Sequence, residues 1–360
     1  MAGCQYAPPG SAARNTLRAG TTTDAVLATI ARCCEHGPHP GTAVMTAIQS
    51  NGITLEYESM GDPTAPAVLL VMGLGMQLVA WPDPFCERLV QHGFRVIRFD
   101  NRDIGLSQKF DELGVPRIPR MLLRALLGLP VRAPYDLDDM ARDTAGLMDA
   151  LEVPVAHVVG ASMGGMIAQQ LAALYPERVR SLTSIMSTTG ARHLRQPSMR
   201  VRRELLRRPA DPTSVESIID NYEHLYGVIS SPGYPTPREE LRARIRRGVE
   251  RSYHPQGFLR QLAAILASGD RAAALGRITC PTLVIHGKAD PLVPYEGGVD
   301  TAYRIRDSRL VLLDGFGHDL PPQLHDRFAA MIAAHVREAE GLARPSPPSY
   351  GAVGNPPGLG

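Results

Sequence analysis

Three side chains in this 360-residue chain have the types and the order needed for nucleophilic acyl transfer. Ser162 stands in the run VVGASMGG, with Gly160 two places before it and Gly164 two places after. A serine hydroxyl is a weak nucleophile until a base takes its proton, and that base needs a carboxylate to fix its tautomer and steady its charge. His318 in LDGFGHDLP and Asp290 in HGKADPLVP can fill those roles. Attack on a carbonyl would create an oxyanion, at which two backbone N–H groups must point. The amide of Met163, directly after the serine, is one candidate; that of Leu74, between Gly73 and Gly75, is the other.

These groups can meet only if the elements that carry them end at the same edge of the fold. Ala156 to Val159 is a short apolar stretch suited to a strand buried on both faces, and MIAQQLAALYPERV after the serine repeats apolar residues at helical spacing. Ser162 therefore falls where a strand turns into a helix. In so tight a turn the serine takes strained backbone angles, and side chains at Gly160 and Gly164 would collide with the neighbouring strand and helix. AVLLVMG, FRVIRFD, AHVVGAS, VRSLTSIMS, TLVIHG and SRLVLLDG read as compact strands. Helical stretches such as WPDPFCERLVQHG and LDDMARDTAGLMDAL separate them, which predicts a mostly parallel sheet flanked by helices. Asp290 and His318 each follow one of these strands.

The other histidines and acids have structural explanations. His157 lies inside a strand as a packed core residue, and His36 and His39 belong to the loose N-terminus. His286 ends a strand and positions the turn after it. Asp314 precedes Gly315, and Asp319 follows His318 directly; both read as turn-formers.

Residues 1–44 mix Pro, Gly, Thr and Ala and read as a flexible extension, with translation from Met45 as a second reading. The core is expected over 45–188 and 278–338. Between them, 189–277 show only amphipathic helical stretches and read as a helical cap, or lid, over the sheet edge where open α/β folds place ligands. Residues 339–360 are Pro/Gly-rich and expected to be disordered.

A net charge of +2 without a dense basic block gives no reason to expect nucleic-acid binding. The 5 cysteines lack metal-ligand or disulfide-framework spacing, which suits a reducing cytoplasm. No stretch approaches ~18 apolar residues, so a soluble protein is expected, with at most a weak peripheral membrane contact. RMLLRALLGLPVR, at 120–132, mixes leucine with arginine, and REELRARIRRGVERSYH carries a dense basic face. Either could draw an anionic lipid group, or be an ordinary solvated surface.

From about Thr46 to Arg337 the landmarks MGLGMQLVAWPDPFCERLVQHGFRVIRFDNRDIGLS, GASMGG, HGKADPLVP and GFGHDLP resemble those of the α/β-hydrolase superfamily. Within it, the W-P-D-x-F and D-N-R-D-I-G-L-S segments are similar to the group of aclacinomycin methylesterases and lipase/esterases. The order Ser162, Asp290, His318 matches that of the superfamily. Many relatives carry histidine before the oxyanion-hole glycine, whereas this chain has Met72, which removes a polar anchor near Leu74. The resemblance further implies that Asp100, Asn101, Arg102 and Asp103 brace a loop near the site. It implies a serine hydrolase cleaving small-molecule carboxylic esters, lipid-like or otherwise hydrophobic, through an acyl-enzyme, with no cofactor and no metal. The same triad serves aminopeptidases, C–C hydrolases, perhydrolases and thioesterases. A silent scaffold would be expected to lack a triad member.

Overall fold

A computed structural model of the chain describes residues 44–341. Eight strands form one sheet in the order β1-β2-β4-β3-β5-β6-β7-β8. β1 (Val44–Ser50) and β2 (Ile53–Met60) form a hairpin, and both residues of its turn, Asn51 and Gly52, have positive φ, 49° and 77°. That backbone twist matches the twist of the flanking strands. β2 runs antiparallel to β4 (Arg95–Phe99). From there β3 (Ala67–Val71), β5 (Ala156–Ala161), β6 (Val179–Ile185), β7 (Thr282–Gly287) and β8 (Ser308–Leu313) are parallel.

The central strands are buried on both faces because helices cover both. Leu69, Val71 and Val158 point to one side, where α3 (Leu137–Ala150) and α4 (Met163–Leu174) pack; Val68, Leu70 and Val159 point to the other, beneath α1 (Asp83–Gln91) and α11 (His325–Ala339). Trp81 lies in the second cluster, stacked on Phe85 with ring centroids 5.6 Å apart, and so fastens α1 to the sheet.

Between β6 and β7 the chain makes α5 (Met199–Leu205), α6 (Val215–Ile229), α7 (Arg238–Arg251), α8 (Pro255–Ser268) and the short α9 (Ala272–Leu275). α10 (Glu296–Arg304) then follows β7. α8 packs through Leu259, Leu262 and Ala263 on Ile118 and Met121 of α2 (Ile118–Leu126). Where the insertion leaves and rejoins the sheet, the buried Arg271 fastens both limbs. Its amide donates to Thr189 C=O at 2.9 Å, and its guanidinium to Thr188 C=O at 2.7 Å and Gly269 C=O at 3.0 Å.

The basic face of α7 is occupied by acids. Arg242 reaches Glu216, Asp220 and Glu223 at 2.9, 2.7 and 2.5 Å, Arg246 pairs with Glu216, and Arg247 meets Asp83 at 2.6 Å. The expected N-terminal extension lies outside the described residues apart from Val44, and the expected tail does so from residue 342; α11 continues to Ala339. Among the described residues, no helix is long and apolar enough to cross a membrane.

Candidate active site

Ser162 sits between β5 and α4 with φ 57° and ψ −122°, a conformation that side chains disfavour and that persists only where the surroundings enforce it. The surroundings are glycine-built. A Cβ on Gly160 would stand 2.2 Å from Gly164 C=O, and one on Gly164 would stand 2.0 Å from Val71 C=O. Ser162 N–H donates to Ile185 C=O at 2.9 Å, and its own carbonyl accepts Ser187 Oγ–H at 2.8 Å, so the end of β6 and the residues just after it hold the serine backbone on both sides.

β7 and β8 bring the other two groups to the same edge. His318 Nε2 lies 2.9 Å from Ser162 Oγ, and His318 Nδ1 lies 2.7 Å from Asp290 Oδ2. With Asp290 ionised, Nδ1 carries the proton and donates it, which leaves the Nε2 lone pair to accept the serine hydroxyl. Asp290 is set by its own turn: Oδ1 accepts the N–H groups of Leu292 and Val293 at 2.9 and 2.8 Å. Burial works against its charge, but the charge and hydrogen bond of His318, with the His286 imidazole 3.6 Å away, overcome this and hold its pKa down to about 2. His286 is fully buried, with Nε2 2.8 Å from Val293 C=O, and supports this turn.

The turn proposed for the oxyanion packs on the serine. A Cβ on Gly73 would lie 3.0 Å from Ser162 Cβ and 3.5 Å from its Oγ. Met76 N–H closes the turn onto Gly73 C=O at 3.2 Å, with Gly75 at φ 71°, as the third position of such a turn demands. Leu74 N–H and Met163 N–H have no acceptor among the described residues. Both are therefore free to donate to a substrate oxygen.

Met72 does not leave this turn without polar anchors. Asn101 Nδ2 donates to Met72 C=O at 2.9 Å, and Gly75 N–H donates to Oε1 of Gln261, a fully buried residue of α8. Gln261 Nε2 in turn donates to Arg102 C=O at 2.8 Å. The loop from Asp100 is itself tied down: Asp100 accepts the amides of Leu78 and Leu106 at 2.7 and 2.8 Å and Arg251 at 2.6 Å, while Asp103 binds Arg260 and Tyr135, both at 2.7 Å.

The model of the alpha/beta hydrolase fold matches residues 66–322, most of the chain and every residue of the site just described. This chain belongs to the α/β-hydrolase family, and it is a hydrolase. This hydrolase is 31% identical over 314 residues to rhodomycin D methylesterase of Streptomyces peucetius, covering 81% of the present chain and 98% of that protein. It is 28% identical to a 2-hydroxy-6-oxononadienedioate/2-hydroxy-6-oxononatrienedioate hydrolase of Paraburkholderia xenovorans, over 78% of this chain and 89% of that one. Among solved structures it resembles a thermophilic esterase from Thermogutta terrifontis, with a TM-score of 0.61 and 25% identity over 82% of this chain and 99% of that one.

Three residues of this α/β hydrolase escape the sequence reading. Gln261 looks like any polar residue of an amphipathic helix, and Ser231 like part of a Ser-Pro-Gly loop. Asp319, read there as a turn-former, is buried and accepts Ser231. The only local signal was its place next to His318.

Proposed function

We propose that this α/β hydrolase cleaves hydrophobic carboxylic esters through an acyl-enzyme on Ser162. The contact of Ser162 Oγ with His318 Nε2 at 2.9 Å, backed by Asp290, carries the reading. His318 Nε2 takes the hydroxyl proton as Oγ bonds to the ester carbon, and the amides of Leu74 and Met163 receive the oxyanion. Collapse breaks the bond to the alkoxy oxygen, which leaves as the alcohol with that proton. Water then attacks the acyl-enzyme with His318 again as base, releasing the acid and restoring the serine. The likeness to a rhodomycin D methylesterase favours methyl esters over triacylglycerols.

A fluorophosphonate probe is expected to label the native protein at Ser162 and to leave Ser162→Ala unlabelled, with kcat reduced roughly 10⁶-fold. Labelling that persists in the alanine variant would place the nucleophile elsewhere. The second reading, C–C bond hydrolysis, draws on the likeness to the nonadienedioate hydrolase. A panel of methyl and p-nitrophenyl esters set against a vinylogous 1,5-diketo acid separates the two by kcat/KM.

A further inference from the structure

We propose that Ser231 and Asp319 are positioning residues through which the helical insertion sets the His318 loop, an inference that rests on His318 serving as the base. The end of α6 and the segment after it lie along the loop that follows β8. His318 N–H donates to Ile229 C=O at 2.7 Å, Gly317 N–H to Ser231 Oγ at 2.8 Å, and Gly233 N–H to Gly315 C=O at 2.9 Å. Ser231 N–H donates to Asp319 Oδ1 at 3.1 Å, and the Ser231 hydroxyl donates to the same oxygen. The core, by contrast, reaches this loop's backbone through Ala289 N–H on Phe316 C=O at 3.1 Å. The amides of Gly317 and His318 are thus both consumed by the insertion.

The clasp is closed to water and to slippage. Ser231 is 2% exposed and Asp319 7%. A Cβ on Gly317 would stand 2.6 Å from the Ser230 carbonyl, so the two segments touch backbone to backbone. Burial pushes the Asp319 carboxyl above its usual range, while the hydrogen bonds from Ser231 and the charges of Arg244 and His318 pull the other way. Ser231 uses its hydroxyl in both senses, accepting from the residue before His318 and donating to the residue after it. Removing that hydroxyl leaves the Gly317 amide without a partner and Asp319 Oδ1 with the Ser231 amide alone in a dry contact, and the loop must shift to satisfy the orphaned amide. A base displaced by about 1 Å from its nucleophile loses on the order of 10²-fold in rate.

The test compares Ser231→Ala, Ser231→Thr and Asp319→Asn with the native chain on p-nitrophenyl acetate, together with the downfield proton resonance of His318 Nδ1–H, identified by its absence in His318→Gln. Ser231→Ala is expected to lower kcat roughly 10- to 100-fold with KM held within about twofold, and to broaden the resonance by solvent exchange. Ser231→Thr keeps the hydroxyl and Asp319→Asn keeps an acceptor oxygen, so both are expected to restore the resonance and most of kcat. Native kcat and a sharp resonance in Ser231→Ala overturn the proposal; so does a loss in kcat with the resonance unchanged. The spectrum is read without turnover, so an inactive native chain would sink the esterase reading while the spectrum alone still supports or overturns the clasp.

Discussion

Gln261 accepts the Gly75 amide at 2.9 Å from 186 positions further along the chain, so a helix of the insertion holds the turn that carries Leu74. The same carboxamide donates to Arg102 C=O, and its geometry therefore fixes the turn against the neighbouring loop. Gln261→Met preserves volume and removes both bonds. The expected result is a fall in kcat of roughly 10-fold, short of the 10²–10³ lost when an oxyanion donor is deleted outright, with KM for a small ester little changed. A variant with native kcat would show that the turn holds its shape without the glutamine.

Backbone strain at Ser162 makes a separate prediction about stability. Glycine accepts φ 57° and ψ −122° where alanine does not. Ser162→Gly is therefore expected to be about 1 kcal/mol more stable than Ser162→Ala, with both expected to be inactive. Thermal unfolding of the two variants side by side checks it, and equal melting temperatures would mean that the turn relaxes in the absence of the serine.

The pH dependence follows from Asp290, whose pKa of about 2 in the folded chain lies below the ordinary 3.8. A depressed carboxylate contributes stability that is complete above the unfolded value and lost as pH falls through the folded one. Between about pH 5 and pH 2 the native protein is expected to lose on the order of 2 kcal/mol more stability than Asp290→Asn. The same variant is expected to lose roughly 10⁴-fold in kcat, because an amide no longer selects the productive tautomer of His318. Parallel stability curves for the two proteins would remove Asp290 as the source.

Two arginine-rich surfaces are expected to behave differently. On α7 the guanidiniums of Arg242, Arg246 and Arg247 already meet carboxylates. Around α2, Arg117, Arg120 and Arg132 have no carboxylate partner among the described residues, and Leu122, Leu123, Leu127 and Leu129 are exposed beside them. For this second surface we propose a weak contact with anionic bilayers. Co-sedimentation with phosphatidylglycerol vesicles is expected to fall in a Leu123→Ser, Leu127→Ser double variant and to be unchanged in Arg242→Gln with Arg246→Gln. Equal binding to phosphatidylcholine vesicles, or none to either, would sink the contact.

What could be read in the sequence was what is local. Ser162, Asp290 and His318 each stand at a strand end, and glycines or short turn residues within a few positions mark the place. Strand order at the edge then brings them together, which the alternation of strands and helices already implied. Gln261, Ser231 and Asp319 gain their meaning from partners 86 to 186 positions away. No periodicity or spacing encodes such a contact. The α7 arginines show the same limit, since their acids lie on α6 and at the start of α1, and a run of charge read alone cannot reveal that it is already paired.

The placement of the insertion also sets an order of events on the ribosome. Ser162 precedes His318 by 156 residues, and β8, the edge strand that presents the histidine, pairs with β7 alone. At about 5–20 residues per second, synthesis takes roughly 8–30 s to pass from one to the other. During that interval the nascent chain can build β3, β5 and β6 with the serine already exposed at its turn, yet it has no base to ionise the hydroxyl. On the proposed mechanism, the Ser162 hydroxyl therefore stays without its base until the last strand docks.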